Sequence, residues 1–385
     1  MAKLQDVVQQ IRGVSYTPED IRAVSDADAI ALLRANNIQD GKLNFDDVVY
    51  IDKRKVKQAQ YLKAGDILIC ASSGSKELVG KAAYVENDLP MTFGAFCKVA
   101  RPQKGDAHYI GHYFESPYYR LRISEAAAGV NINNIRNEHI DVLDIPFPPI
   151  NEQIHIASVL DKIGTLIDLH ERLLVKLDKL VKARFVEMFG DLSVNDKKWA
   201  KAPLCQHADI ITGYPFPSSD YSAEGIKIVG GYNLMQGFVQ WTEAKYWPVL
   251  SGYEQYLLMD GDIVIAMDRP WVGNGFKIAS IDNEHLPAIL IQRTACIRAK
   301  DVKREFLYPM LDSDCFAVHC NIKGSLVPHI SNKDINSYEI FIPPMELQER
   351  FSEFACQVNK MRLTMRQELD KMETLKRALM QEYFG

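Results

Sequence analysis

The segment Gly74–Ala82 comes close to the pattern of a phosphate-binding loop. It has five residues between its two glycines, where that pattern has four, and Ala82 stands where a Ser or Thr should hold magnesium. Because of these departures, the segment is predicted to be a turn that joins two strands rather than a nucleotide-binding site. In such a turn, Lys76 and Lys81 either face a phosphate backbone or are simply solvated.

Two other groups contain residue types that occur in catalytic or metal sites. Ser116–Tyr119 lacks the amide or carboxylate and the second proline of the motif of amino-methylating enzymes, and no Gly-rich cofactor loop accompanies it. Cys315, His319 and Cys320 lack the spacing and the fourth ligand of a zinc site. No Ser/His/Asp set or paired carboxylates stand out elsewhere, so we predict no catalytic residues and no metal site.

The elements that must position functional side chains form an internal repeat. Pro148-Pro149 and Pro343-Pro344 are 195 residues apart, and so are Phe189-Gly190 and Phe384-Gly385. Two Gly-Asp-Ile segments, which begin at Gly65 and Gly261, are 196 residues apart. Three matches at nearly one offset indicate a duplicated protein.

Each repeat begins with a globular part, residues 1–147 and 191–342, that is rich in short apolar runs and turn residues. Asp66–Ala71 and Asp262–Met267 are predicted to be strands between turns. Short helices are predicted at Thr17–Ile21 and Ser25–Leu33, because each opens with a capping residue followed by acidic groups. We therefore predict two globular α+β domains.

Each repeat ends in a long helix, residues 148–190 and 343–385. The Pro pair precedes the helix, Glu152 or Glu346 lies in its first turn, and a glycine follows its last apolar residue. Apolar residues alternate by three and four positions, which favours a coiled-coil seam over a helix buried in a larger core. The predicted seam residues are Ile156, Leu160, Ile163, Ile167, His170, Leu174, Leu177 and Val181, and Phe351, Phe354, Val358, Met361, Met365, Glu368, Met372, Leu375 and Leu379.

The two helices are predicted to pair antiparallel. Residues 151–189 would span about 58 Å as a helix, and the following domain should be about 40 Å across. A parallel pair would require that domain to carry the chain back along the whole helix. The predicted fold class is therefore α+β, with two globular domains separated by a pair of long antiparallel coiled-coil helices and an internal pseudo-two-fold repeat.

Charge and composition limit the partners and the compartment. The chain of 385 residues has a net charge of −5; residues 1–147 hold 18 basic and 19 acidic groups, and residues 191–345 hold 14 and 18. A nucleic-acid partner would therefore have to meet a local positive surface. No apolar run reaches the length of a membrane span, the N-terminus lacks a signal-peptide core, and the seven cysteines are scattered. We expect a reduced, cytoplasmic protein without membrane contact.

Two related but unlike domains on a stiff spacer suit a split DNA site. Since DNA advances about 3.4 Å per base pair, a rod of about 58 Å limits the separation of the half-sites to about 17 base pairs. The domains differ in sequence, so the half-sites should differ as well. The expected site is asymmetric and interrupted by unread bases.

The ordered motifs point to one family. They are Ile11–Asp20, the Gly-Asp-Ile segments, Gly213–Ser218, and the two Pro-Pro helices with Glu152-Gln153 and Gln348-Glu349, each ending in Phe-Gly. With this set the whole chain resembles the specificity subunits of type I restriction–modification enzymes.

That resemblance implies a role for each segment and a set of partners. Residues 1–147 and 191–342 would be target-recognition domains 1 and 2, and residues 148–190 and 343–385 the central and distal conserved helices. The helices would bind two copies of a methyltransferase subunit, and the further partners would be double-stranded DNA and restriction/translocase subunits. S-adenosylmethionine and ATP with Mg would act in the partner subunits, with no cofactor in this chain.

The candidate DNA contacts are basic and polar side chains on Gly-rich loops. Arg and Lys can bind guanine, and all of these side chains can donate hydrogen bonds to phosphate oxygens. In the first domain the candidates are Ser73, Ser75, Lys76, Lys81 and Arg101. In the second, the loop Asp268–Gly275 offers Arg269 and an exposed Trp271, and the other candidates are Lys277, Arg293 and Lys323.

Two other functions stay open at this point. A bivalent protein–protein scaffold without direct DNA reading fits the lack of a basic domain. A self-contained DNA methyltransferase or nuclease would need a cofactor loop or metal-binding carboxylates, which the sequence does not offer. The favoured prediction is a non-catalytic DNA-binding subunit in which each domain reads one half of a bipartite, asymmetric site.

Overall fold

The computed structural model describes residues 1–126, 133–248, 251–272, 275–322 and 328–385. The chain divides into two compact units, Met1–Glu171 with Arg366–Gly385 and Arg172–Met365. Each long helix therefore contributes one part to each unit. Within the described ranges, no helix is long and apolar enough to cross a membrane.

The first repeat alternates short strands with short helices before its long helix. Its elements are β1 (Ala2–Lys3), α1 (Leu4–Val7), β2 (Val8–Arg12), β3 (Ala29–Leu33), β4 (Ile38–Gln39), β5 (Lys42–Leu43), β6 (Val49–Asp52), β7 (Ile67–Cys70), β8 (Ser72–Ser73), β9 (Ala82–Tyr84), β10 (Met91–Phe93), β11 (Cys97–Pro102), α2 (Ala107–Glu115), α3 (Pro117–Ala126), β12 (Asn133–Asn134), α4 (Asn137–Asp141), β13 (Asp144–Ile145) and α5 (Ile150–Phe189), the central helix.

The second repeat follows a similar succession. Its elements are β14 (Ala200–Pro203), α6 (Leu204–His207), β15 (Ala208–Thr212), β16 (Ile226–Val229), β17 (Tyr246–Trp247), β18 (Ile263–Ala266), β19 (Trp271–Val272), β20 (Gly275–Phe276), β21 (Ile278–Ser280), β22 (Ala288–Leu290), β23 (Thr294–Ala299), α7 (Arg304–Leu311), α8 (Asp314–His319), α9 (Asn332–Ser337), β24 (Glu339–Ile342) and α10 (Met345–Phe384), the distal helix. This repeat has a hairpin of its own, β19 with β20.

The first unit has two main sheets, and β7 is a central strand of the larger one. A four-stranded antiparallel sheet has the order β2-β11-β7-β9, and a three-stranded sheet has the order β10-β3-β6 with β10 parallel to β3. Ile67 and Ile69 of β7 face one hydrophobic cluster, while Leu68 and Cys70 face another. Because both faces of β7 are covered, its sequence is a continuous apolar run rather than an alternating one.

The second unit repeats this topology. Its four-stranded sheet has the order β15-β23-β18-β21 and its three-stranded sheet the order β17-β16-β22, again with one parallel pair, β16 with β22. Ile263 and Ile265 of β18 face one cluster, while Val264 and Ala266 face the other. The predicted internal repeat and the two predicted strands are therefore confirmed.

Gly13 and Gly213 lie where the chain passes from the four-stranded to the three-stranded sheet. A Cβ atom on Gly13 would lie 2.1 Å from the carbonyl oxygen of Gly94, and one on Gly213 would lie 1.9 Å from the carbonyl oxygen of Ile291. Both distances are far below van der Waals contact, so only glycine allows this close approach of two backbones. This explains the glycine in Ile11–Asp20 and in Gly213–Ser218.

One of the two predicted short helices is wrong. Pro18–Asp20 forms a single 3₁₀ turn after Thr17, whereas Ser25–Leu33 contains the strand β3. β3 lies between β6 and β10, with Ile30 and Leu32 in one apolar cluster and Leu33 in another. Pairing and burial on both faces outweigh the local capping signal at Ser25.

The long helices pair antiparallel inside each unit, as predicted. In the first unit, Leu160 of the central helix shares a core with Phe384, and farther along His170 contacts Glu368, with 3.2 Å between Nε2 and Oε2. In the second unit Phe185 packs edge-on against Phe351 with the ring centroids 5.5 Å apart. Rising numbers on one helix thus meet falling numbers on the other.

The predicted seam of the distal helix needs a correction. Met361 and Leu375 are 51% and 50% exposed. Arg362 lies closer to the central helix instead, and its guanidinium forms an ion pair with Asp178 at 3.0 Å. The ion pair of Arg362 shows that an apolar heptad pattern alone does not identify every residue of this seam.

Each long helix starts in the same way. Gln153 and Gln348 are both 1% exposed. The Gln153 amide donates to the Pro148 carbonyl at 2.7 Å and accepts from the backbone N–H of Asp106 at 2.9 Å. Gln348 makes the same two bonds, with Pro343 and with Lys303. The two helix starts are equivalent although their acidic residues differ in position.

We predict that Gln153→Ala lowers the free energy of unfolding by about 1–3 kcal/mol, because it leaves a buried carbonyl and a buried N–H without partners. The exposed neighbour Glu152 provides a matched control, and Glu152→Ala should change the value by less than about 0.5 kcal/mol. Denaturant unfolding of the two variants measures this difference. Equal losses in both would contradict the anchoring role of Gln153.

Candidate DNA interface

Three chain segments meet at one end of the four-stranded sheet in the first unit. We call residues 71–81, 94–96 and 134–136 the first loop cluster. The N–H groups of Ala71 and Ser72 donate to the Phe96 carbonyl at 2.8 and 3.0 Å, and the N–H of Ile135 donates to the Ala71 carbonyl at 2.8 Å. β8 also pairs with β12, so that Ser72 lies opposite Asn134.

The second unit brings the equivalent segments together. We call residues 267–271, 291–293 and 328–330 the second loop cluster. The N–H of Met267 donates to the Arg293 carbonyl at 2.8 Å, and the N–H of Ile330 donates to the Met267 carbonyl at 2.8 Å. A backbone β-bridge joins Asp268 to His329, in the place where Ser72 pairs with Asn134 in the first unit. The backbone frame is thus shared, while the side chains on it differ.

The segment Gly74–Lys81 is the predicted turn, which joins the antiparallel strands β7 and β9 by way of β8. Arg120 of α3 holds it from behind, with its guanidinium donating to the carbonyls of Val79 at 2.8 Å and Glu77 at 2.7 Å. Gly80 has a φ of +80°, which favours glycine. This segment lacks the helix start that cradles phosphate in a P-loop.

The structure brings four of the five candidates of the first domain together in the first loop cluster. Ser73 is half-buried, and its hydroxyl accepts from the N–H of Ser75 at 3.2 Å. Lys76 is exposed at the tip of the turn, whereas Lys81 is half-buried at its base. Arg101 lies elsewhere, at the other end of β11.

Arg101 has a structural role. Its guanidinium donates from Nε and Nη2 to the two carboxylate oxygens of the fully buried Asp66 at 2.7 and 2.8 Å, and Nη2 also donates to the Tyr61 carbonyl. Arg298 and Asp262 repeat this arrangement in the second unit. The carboxylate raises the pKa of both guanidiniums. Because its donors are used inside the unit, we leave Arg101 out of the proposed DNA surface.

In the second domain, Arg269 and Arg293 are exposed in the second loop cluster, and both have positive φ angles of 45° and 64°. Non-glycine residues rarely adopt this conformation, and such strain is concentrated at functional sites. The Nε of Arg293 lies 3.1 Å from the Asp268 carboxylate. The His329 ring also contacts that carboxylate.

The other candidates of the second domain are Trp271, Lys277 and Lys323, and only the expected exposure of Trp271 is contradicted. Trp271 is half-buried against the core of the unit rather than exposed. Lys277 is half-buried, its ammonium donates to the Gly231 carbonyl at 2.6 Å, and burial lowers its pKa. Lys323, like Gly273 and Asn274 of the predicted loop, lies outside the described residues.

Sequence reasoning missed two residues near these clusters. Arg12 is exposed at the end of β2, where it pairs with Lys98 of β11, two residues after Phe96. Its signal was its position directly before Gly13, in a motif that was already noted. Phe96 is 71% exposed in the turn before β11, and its signal was a large apolar residue in a turn.

A buried lysine lies beside the end of β2. Lys98 is 7% exposed, and its ammonium donates to Gln10 Oε1 and Asn137 Oδ1, both at 2.9 Å. Burial lowers the pKa of Lys98 to about 8. The amide oxygens satisfy two of its donors, so Lys98 ties β2 and β11 to α4 rather than offering a free charge to a ligand.

The residues that resemble catalytic groups have structural roles. Ser116 is fully buried, and its hydroxyl donates to the Tyr113 carbonyl and accepts from the N–H of Tyr119 at the start of α3. His319 contacts the Asp334 carbonyl at 3.0 Å. No cluster of metal-ligating side chains occurs in the described ranges, including the surroundings of Cys315 and Cys320.

Comparison with known proteins gives one consistent picture. A family model described as a type I restriction modification DNA specificity domain matches residues 1–179. The EcoKI specificity subunit of Escherichia coli K12 is 30% identical over 370 residues, which cover 90% of this chain and 79% of that protein. The StySPI specificity subunit of Salmonella potsdam is 39% identical over 182 residues, which cover 47% of this chain and 39% of that protein.

Solved structures show the same fold. The S subunit of a type I restriction–modification system from M. genitalium aligns with a TM-score of 0.62 at 14% identity, over 100% of this chain and 95% of that one. A chain from a study of complex assembly and conformational transition in the type I system aligns with a TM-score of 0.53 at 16% identity, over 100% and 96%. At these identities the likeness concerns the fold.

We predict that Arg101→Met lowers the free energy of unfolding by about 3 kcal/mol, because it leaves the Asp66 carboxylate buried without its partner. Arg298→Met should have a similar effect in the second unit. Thermal and denaturant unfolding measure the loss. A variant that keeps its stability but loses DNA affinity would return Arg101 to the DNA surface.

We predict that Arg12→Gln and Lys76→Gln each reduce the slope of log K against log salt for duplex DNA by about one, since each removes one phosphate contact. Lys104→Gln, an exposed lysine in the loop before α2, is the matched control and should leave the slope unchanged. Binding titrations at a series of salt concentrations supply the slopes. Identical slopes for all three variants would show that these clusters do not contact DNA.

Proposed function

Because the chain belongs to the family of type I restriction enzyme specificity subunits, we propose that each of its two globular domains reads one half of a bipartite, asymmetric DNA site. One observation carries this proposal. The two units share one topology, one glycine crossing and one buried Asp–Arg pair, while their loop clusters carry different side chains. A protein that reads two unlike half-sites needs this combination of a common frame and different contact residues.

The paired helices are proposed to be both spacer and docking surface. Their antiparallel pairing is suited to a fixed separation of the two reading domains. Both helices also expose large apolar side chains, each 45–54% exposed: Ile154, Leu166, Leu169, Val175, Leu180, Val186, Met361, Leu363 and Leu375. Exposed apolar surface of this kind supports binding of a protein partner, here two copies of a methyltransferase subunit, one for each repeat.

The remaining partners follow from this role. The proposed complex contains double-stranded DNA and restriction/translocase subunits, and it works in the cytoplasm, where the DNA is. S-adenosylmethionine and ATP with Mg are proposed to bind in the partner subunits. This chain contributes the sequence reading, and its relatives are named as specificity subunits.

We predict that replacing residues 1–147 by the corresponding domain of a relative changes one half-site and leaves the other unchanged. Single-molecule sequencing of methylated bases, in a host that carries this chain with its methyltransferase, measures both half-sites and the gap. The parent chain in the same host is the control. Changes in both half-sites, or no methylation motif in the parent, would contradict the division of labour.

We predict that inserting one heptad in both helices lengthens the unread gap by up to about three base pairs, since seven helical residues add about 10 Å. Suitable positions are between Glu171 and Arg172 and between Met365 and Arg366, where the two compact units divide. An insertion in one helix alone disrupts the pairing and is the matched control. An unchanged gap in the double insertion would show that the helices do not set the spacing.

A further inference from the structure

Phe96 and Arg293 occupy the same position in the two repeats. Phe96 directly precedes Cys97, the first residue of β11, and Arg293 directly precedes Thr294, the first residue of β23. The Phe96 carbonyl accepts from the N–H of Ala71, and the Arg293 carbonyl accepts from the N–H of Met267, both at 2.8 Å. The backbone thus presents both side chains from one place in the frame.

Both side chains project from their units. Phe96 is 71% exposed, and the side chain of Arg293 is likewise 71% exposed. Phe96 is more exposed than the other phenylalanines with large exposure among the described residues, Phe45 at 47% and Phe238 at 41%, and its ring stays in contact with water unless a ligand covers it. Arg293 is equally unusual, because its φ of 64° favours glycine or asparagine.

Arg293 is held in an orientation that leaves its two terminal nitrogens available. Its Nε lies 3.1 Å from an oxygen of the Asp268 carboxylate. The His329 ring and a backbone bridge between Asp268 and His329 hold that carboxylate in place. In the described part of the chain, no hydrogen bond occupies either Nη of Arg293. A fork of two donors on a fixed guanidinium is the group that reads O6 and N7 of guanine.

The surroundings of this position are alike in the two units, whereas the position itself is not. Gly13 approaches the Gly94 carbonyl oxygen, two residues before Phe96, and Gly213 approaches the Ile291 carbonyl oxygen, two residues before Arg293, at nearly the same distances. A surface that binds the same protein partner in both repeats would also keep similar chemistry. A surface that reads two different half-sites must carry different side chains in the two repeats.

We propose that this position reads a base in both half-sites, with Phe96 contacting a thymine methyl group in the first and Arg293 binding a guanine in the second. The thymine methyl is the apolar feature that base pairs present in the major groove, and it matches a phenyl ring. The inference rests on the proposed function, because it assumes that each domain reads one half-site.

The first test is motif mapping with the complex of this chain and its methyltransferase. Arg293→Gly removes the side chain and relieves the strained φ, so the fold is preserved; it should relax one guanine of the second half-site. Phe96→Ala should relax one thymine of the first. Lys300→Gln, at the far end of β23, and Phe45→Ala, a 47% exposed phenylalanine in another loop of the first unit, are the matched controls and should keep the parent motif.

The second test uses duplexes that contain the mapped site. Replacing the guanine by 7-deazaguanine should weaken binding of the parent complex by about 5- to 100-fold and leave Arg293→Gly unaffected. Replacing the thymine by deoxyuridine, which removes only the methyl group, should weaken the parent about fourfold and leave Phe96→Ala unaffected.

The outcomes separate this inference from the proposed function. A bipartite motif that both variants leave unchanged overturns the inference and keeps the proposed function. Partial loss of the methyltransferase from the Phe96→Ala complex, with weaker methylation of an unchanged motif, assigns Phe96 to protein docking, which also overturns the inference. A parent complex without any bipartite motif overturns the proposed function itself.

Discussion

The architecture depends on the anchoring of both ends of each long helix in a hydrophobic core. At the start, the buried amides of Gln153 and Gln348 tie the first turn to the preceding backbone. At the end, Phe189 and Phe384 are buried among core residues, at 0% and 2% exposure. A helix that is fixed at both ends cannot slide along its neighbour, because any change of register would expose a phenylalanine and break an amide contact. The middle of the seam can therefore accept polar pairs such as His170 with Glu368 without losing its register.

This anchoring separates the parts of the chain that must stay alike from the parts that are free to differ. Gly13 and Gly213 are required by the backbone crossing, and Arg101 and Arg298 are required by the buried carboxylates beside them. The loop clusters lie beyond these constraints. Their backbone hydrogen bonds repeat between units, but no core packing dictates their exposed side chains. A change of base preference can therefore occur by substitution at a few exposed positions while the frame keeps its stability.

The same division explains what the sequence could predict. The repeat, the paired helices and the strands β7 and β18 were predictable, because periodicity and turn residues reflect local geometry directly. The strand β3 was not predictable from local sequence. It forms because β6 and β10, which are distant in the chain, pair with it. The internal partner of Arg101 was not predictable for a related reason. A loop arginine and an arginine with a buried partner look alike in sequence, and only the fold brings Asp66 to it. Phe96 was missed because a large apolar residue in a turn is only a weak sequence signal until the fold shows that the residue is exposed.

The positive charge that the chain can offer to DNA depends on which cations are paired with carboxylates, and not only on the net charge. The net charge of −5 would suggest poor affinity for DNA. Among the described residues, Arg101 and Arg298 form ion pairs with buried carboxylates. Arg12, Lys76 and Arg269, by contrast, are exposed near the loop clusters. We expect a single domain to bind DNA weakly, because few exposed cations lie near its loop cluster. Under the proposed function, two such domains bind well only when both half-sites are present at the matching distance, because the second contact then forms intramolecularly. We therefore expect low charge near the loop clusters to add to specificity, because neither half-site alone would then hold the complex.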